Sequence, residues 1–138
     1  MVDYEQWILL NVMEPAGLCF YYTGYLAASF SELLRVAGTY TEPSGEMRHG
    51  HYWCRTQDGI IVDPTAGQFE PGGRYEESVV VPLLYEDLVD LIELPLFESL
   101  EPWVQMRCKL WLGVIENGRT DARPGAAKSF EVAAEIGT

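Results

Sequence analysis

The stretch His49-Gly50-His51-Tyr52-Trp53-Cys54-Arg55-Thr56-Gln57-Asp58-Gly59-Ile60-Ile61-Val62-Asp63-Pro64 decides how this chain is read. Residues 49–56 are extended in character, Gln57-Asp58-Gly59 is a hairpin turn signal, and 60–63 form a returning strand that stops at Pro64, which has no ladder donor to give. With a three-residue loop and Gly59 in the left-handed position, Thr56 faces Ile60 and Trp53 faces Asp63. His51, two residues from Trp53, then shares a sheet face with Asp63, displaced diagonally by about 7–8 Å at the backbone, within reach of an imidazole–carboxylate hydrogen bond. A two-residue loop would change the parity and turn Asp63 to the other face.

Upstream of this hairpin, Pro15 to Gly38 reads as one long helix, entered through Pro15-Ala16-Gly17 and closed by a glycine. Leu18, Phe20, Tyr22, Tyr25, Leu26, Phe30, Leu33 and Leu34 make it apolar nearly all round, so it should run through the core. The apolar run Trp7 to Val12 is too short for periodicity to assign. Thr39 to Gly45 reads as a polar loop. Downstream, Ser78 to Leu83, with three consecutive valines, reads as a buried strand. Glu86 to Leu94 and Trp103 to Glu116 read as helices, the second ending at Asn117-Gly118. These elements predict an α+β fold in a single domain, residues 1–116, followed by a C-terminal tail, 117–138, loosely attached or docking against a partner.

Composition narrows the function classes. The 138 residues are 48% hydrophobic and 22% charged, which excludes a wholly disordered or collagen-like chain. Against 9 basic residues stand 21 acidic ones, a net charge of −12. Direct nucleic-acid binding rests on cations that neutralise phosphates, so it is not expected. No apolar run approaches the ~20 residues that cross a bilayer, and the start lacks the basic region of a secretory signal. Three cysteines, 19, 54 and 108, show no paired spacing, which fits a reducing compartment. A cytoplasmic protein without membrane attachment is the expectation.

With only two histidines, imidazole chemistry must use His49 or His51. Cys19 stands where the core helix begins, so its thiol feels the positive end of the helix dipole and, beside an imidazolium, becomes a thiolate at neutral pH. Cys54, three residues from His51 along a strand, points to the opposite face. Cys108, among Val104, Trp111 and Leu112, reads as core.

Gly17-Leu18-Cys19-Phe20 opening a helix, then His51-Tyr52-Trp53, then Asp63-Pro64-Thr65 after a turn, resembles the order Cys…His-x-Trp…Asp of transglutaminase-like members of the papain-like cysteine enzyme superfamily. The resemblance covers roughly residues 15–69. It implies a Cys-headed helix packed on a small antiparallel sheet, with Cys19 as nucleophile, His51 as general base and acid, and Asp63 as its orienter. A thiol-dependent acyl transfer at an amide follows, with no cofactor and no metal. Cysteine peptidase, isopeptidase and glutamine deamidase activities all use such machinery. Hydrolysis is expected over cross-linking, because the chain is far shorter than typical transglutaminases and has no evident calcium loop. The backbone N–H of Cys19 would be one oxyanion donor. For a second, papain-like proteases use a glutamine just before the cysteine, whereas here the upstream amides are Gln6 and Asn11. Trp53 would shield the His–Asp bond.

Two further readings stand beside this one. His49 and His51 on one strand face, with Asp63, could be three ligands of zinc or iron. Alternatively, the chain is a non-catalytic acidic binding module or inhibitor that meets a basic protein through Glu76, Glu77, Glu86, Asp87, Asp90 and Glu93. The acidic surface likewise suggests a basic peptide or protein as substrate.

Overall fold

A computed structural model describes residues 3–115, and the 117–138 tail of the sequence reading lies outside them. The fold is α+β: four helices and one four-stranded antiparallel sheet. Helix α1 (Tyr4–Asn11) takes up the unassigned apolar run, capped by Asp3 on the Gln6 N–H. Helix α2 (Cys19–Ser29) follows, then β1 (Leu34–Thr41), β2 (Met47–Arg55), β3 (Ile61–Val62) and β4 (Arg74–Val80). Helices α3 (Tyr85–Glu93) and α4 (Pro102–Ile115) complete the described residues. Strand order is β3-β2-β1-β4.

The long helix expected over 15–38 is therefore two elements. Helix α2 ends at Ser29, and after a short turn the chain returns as β1, the strand between β2 and β4. Leu34, Arg35 and Val36 are buried in succession, and beyond them the less covered positions Ala37 and Thr39 are still half-buried, so the alternation that marks a half-exposed strand is faint and the run reads as a continuation of the helix. Gly38 is no helix terminator. A Cβ there would lie 2.1 Å from the Glu76 carbonyl oxygen and 2.8 Å from the Trp53 ring, so glycine is required by close approach. The loop expected from Thr39 begins only after Thr41. The strand expected over Ser78–Leu83 is β4, ending at Val80; it is an edge strand, and Val79 is exposed.

Helix α2 is the centre of the core. Tyr22 through Ser29 are buried without exception, and Tyr25 and Leu26 pack with Trp7, Leu88, Leu91, Phe97, Val104 and Cys108. Several polar groups inside are paired. The Trp7 indole N–H donates to Ser29 Oγ at 2.9 Å, and the Tyr25 hydroxyl donates to the Leu91 carbonyl at 2.6 Å. Arg35, fully buried, donates to Asp87 at 3.2 Å and to the Pro82 carbonyl, fixing the start of α3 to β1. Among the described residues, no helix is long and apolar enough to cross a membrane.

The β2–β3 hairpin has the register that the three-residue loop predicts: Cys54 pairs with Val62 and Arg55 with Ile61. Gly59 takes φ +94°, and the Thr56 N–H donates to the Ile60 carbonyl at 2.9 Å. Between β1 and β2 the ladder slips. Gly38 faces His51 while Tyr40 faces Arg48, so Thr39 opposes both His49 and Gly50, and Gly50 adopts φ +68°. This bulge reverses the parity of β2 on its N-terminal side.

Candidate active site

Pro15-Ala16-Gly17 turns the chain into α2, with Gly17 at φ +76°, so that Cys19 is the first helical residue. Leu18 at the N-cap offers no side-chain acceptor, and the first N–H groups of the helix have no intrahelical partner. The helix lies on the Cys54 face of β2, where the Cys54 thiol meets the Thr23 carbonyl at 3.5 Å and Phe20 meets Tyr52 edge to face.

The N-terminus of α2 arrives at the β3 edge of β2, beyond the last β2–β3 pair. The two-residue repeat that aims the Thr56 N–H at Ile60 also aims the Tyr52 N–H at this edge, opposite Pro64. There the Tyr52 N–H and the His51 ring come near enough to the Cys19 sulfur to favour its thiolate. Cys19 is partly exposed. Burial works to raise its pKa, but the His51 hydrogen bond, the Tyr52 N–H and the imidazolium charge outweigh it, and the thiol is held below its ordinary value of 9.0.

His51 is 3% exposed, and its Nε2 lies 2.7 Å from Asp63 Oδ2. With Nε2 so engaged, Nδ1 is the ring nitrogen open to the thiol. Burial would push the imidazole pKa down; the hydrogen bond to Asp63, then that to Cys19, and both negative charges reverse this and carry it up to about 9. Asp63 is held in turn: Oδ2 also accepts from the Tyr75 hydroxyl at 2.8 Å, and Oδ1 from the Thr65 N–H at 3.0 Å and hydroxyl at 3.3 Å. The Tyr75 phenol pKa is raised, by burial first and then by Asp63, so this hydroxyl remains a donor.

Trp53, 1% exposed, stacks beside His51 at 5.8 Å between centroids, Phe69 meets the same ring edge-on at 4.8 Å, and Tyr75 packs on Trp53 at 5.0 Å. These rings keep water from the His51–Asp63 contact.

Cys19, His51, Asp63 and Trp53 are thus brought together, and Asn11 is not among them. Its amide donates to the Trp7 carbonyl and Glu101, and its oxygen accepts from the Glu101 N–H at 2.9 Å, tying α1 to the start of α4. His49 stands apart as well. The bulge at Gly50 turns it to the opposite face from His51, where its Nδ1 meets Thr39 Oγ1 at 3.1 Å. Among the described residues, no three His, Cys, Asp or Glu side chains are grouped to hold a metal. Cys54 and Cys108 are buried, and burial raises Cys108 to about 12. Of the six acidic residues read as a binding face, Asp87 is engaged by Arg35 and Glu77 by Arg55 at 2.6 Å.

Tyr75, Thr65, Phe69 and Gln68 were not singled out from the sequence. Thr65 follows from Asp63-Pro64-Thr65, an Asx-type turn in which the carboxylate accepts from the N–H two residues on. Tyr75 arrives from β4 through its pairing with Tyr40 on β1, a contact with no local signal. Compared with known proteins, the chain matches no family model, no curated protein and no solved structure, so the chemistry of this site is argued from its own geometry.

Proposed function

We propose that the protein is a thiol-dependent acyl-transfer enzyme acting on an amide, with Cys19 as nucleophile, His51 as general acid and base, and Asp63 as the group that orients His51. The observation that carries this reading is the chain of contacts from Asp63 through His51 to the Cys19 sulfur at the head of α2, with Asp63–His51 at 2.7 Å. A thiolate–imidazolium pair in this order is a nucleophile activated without a metal. The same order, on a Cys-headed helix laid against an antiparallel sheet, supports a compact transglutaminase-like or papain-like core.

In the reaction the Cys19 thiolate forms a bond to the amide carbonyl carbon, and the carbonyl electron pair moves to oxygen. As that pair returns, the C–N bond breaks and the His51 imidazolium gives its proton to the departing nitrogen. Neutral His51 then takes a proton from water, whose oxygen attacks the thioester, and the thiolate leaves. Products are an acid and an amine or ammonia. A peptide, an isopeptide or a glutamine side chain meets this chemistry equally, and a basic peptide or protein suits the charge of the molecule.

Competitive alkylation tests the reading. At pH 6 iodoacetamide is expected to modify Cys19 at least tenfold faster than Cys54 or Cys108, as counted by mass spectrometry of the digested protein. Equal labelling of the three thiols, or a Cys19 rate that rises only above pH 8, overturns it.

A further inference from the structure

The 3-10 turn Ala66–Gln68 follows Asp63 in the chain. Its start is tied to Asp63 through the Ala66 N–H on the Asp63 carbonyl, and its end delivers Phe69 against the His51 ring at 4.8 Å. Between these two anchors, Gln68 reaches the loop that precedes the nucleophile: its Oε1 accepts from the Gly17 N–H at 3.4 Å. Gly67 meets the same loop, where a Cβ on it would touch Pro15 at 3.9 Å.

The orientation of the Gln68 amide follows from its partner. The Gly17 N–H can only donate, so the atom facing it is the oxygen, and the NH₂ is turned away from Gly17. That nitrogen, Nε2, is buried and has no hydrogen-bond partner among the described residues. A buried donor left unpaired in a native fold calls for an explanation. An acceptor brought by the substrate supplies it. The Cys19 N–H, at the uncapped start of α2, is a donor in the same position of need.

We propose that the Gln68 side-chain amide is the second oxyanion donor, acting with the Cys19 backbone N–H on the carbonyl oxygen that becomes negative when Cys19 attacks. This rests on the reading of Cys19 as an acylated nucleophile. It fills the role for which the upstream amides Gln6 and Asn11 were considered, using instead a residue downstream of Asp63, held against the nucleophile loop by Gly17.

The test separates attack at a carbonyl from attack at a saturated carbon. p-Nitrophenyl acetate acylates a thiolate through a tetrahedral oxyanion: sulfur bonds to the carbonyl carbon, the C–O bond breaks, and p-nitrophenolate leaves with the electron pair. Iodoacetamide alkylates the same sulfur by displacing iodide at a saturated carbon, with no oxyanion formed. In Gln68→Ala, and in Gln68→Met, which keeps the bulk of the side chain, the acylation rate of Cys19 is expected to fall about 100-fold. The iodoacetamide rate and its pH profile should stay within about twofold of the parent.

A parallel loss of both rates would make Gln68 a support of the Cys19 loop, and unchanged acylation would make it a bystander; either outcome overturns the assignment while leaving the Cys19 reading standing. If the parent protein itself shows no selective burst of p-nitrophenolate from Cys19, the reading of Cys19 as nucleophile falls, and this assignment falls with it.

Discussion

Asp63 is the most heavily engaged side chain of the site, accepting from His51, Tyr75 and both the N–H and the hydroxyl of Thr65. All its neighbours on this count are donors, so in the proposed reading it presents a negative charge to Nε2 and keeps Nδ1 on the thiol. The sign of the linkage follows. The His51 pKa is raised from 6.5 to about 9, so its ion-pair contribution to stability is complete below about pH 6.5 and is lost as pH rises through about 9. Replacing Asp63 by Asn removes the largest upward cause and leaves burial, which pushes the imidazole down, opposed by Cys19 alone. The pH profile of Cys19 alkylation in Asp63→Asn is therefore expected to lose its plateau near neutrality, with the rate at pH 6 falling tenfold or more. The His51 midpoint, read by NMR, should drop from about 9; a midpoint still near 9 would show that Asp63 is not what charges His51. At this scale the His51–Asp63 contact is legible in the sequence, because a three-residue turn with glycine in its last place fixes which side chains share a face. Tyr75 and Gln68 are not, because each reaches the site through non-local packing that leaves no spacing to read.

The elements tell the opposite story for β1. Its residues Leu34 to Gly38, Arg35 apart, are as apolar as α2, and a strand whose less covered face is still half-buried has little alternation to distinguish it from a buried helix. The glycine that looked like a helix stop is instead the point where β4 and Trp53 close on β1. Gly38→Ala forces a methyl group into a 2.1 Å approach to the Glu76 carbonyl, and backbone oxygen cannot rotate away as a side chain can. The strands must separate, at a cost of about 3 kcal/mol. Gly45, in the β1–β2 turn, is the control: φ is +95°, and nothing lies within 4 Å of a built Cβ. Its replacement by Ala carries only the left-handed backbone cost, about 1 kcal/mol. Urea midpoints of the two variants should therefore differ well beyond error; equal midpoints would mean that the β1–β4 contact yields without loss. The bulge at Gly50 belongs to the same scale. It separates His49 from His51, which simple alternation puts together, and sequence patterns seldom announce a bulge unless the partner strand is known.

For the whole molecule, the sign of the field is legible from composition alone, whereas its distribution is not, since Asp87 and Glu77 are paired with Arg35 and Arg55. What remains of a net charge of −12 still surrounds a thiol that any reagent must reach through solvent. Electrostatic attraction acts on the rate of encounter, is longest-ranged at low salt, and is screened within about 8 Å at physiological ionic strength. A matched pair of methanethiosulfonates, one bearing trimethylammonium and one bearing sulfonate, measures it directly, since both form the same disulfide bond with Cys19 and release the same sulfinate. At 10 mM salt the cationic reagent is expected to react about tenfold faster than the anionic one, and at 500 mM the ratio should approach the value found for a free thiol. A ratio that does not move with salt would mean that the field at Cys19 is set by His51 and its neighbours rather than by the molecule, and the preference for basic substrates would lose its ground.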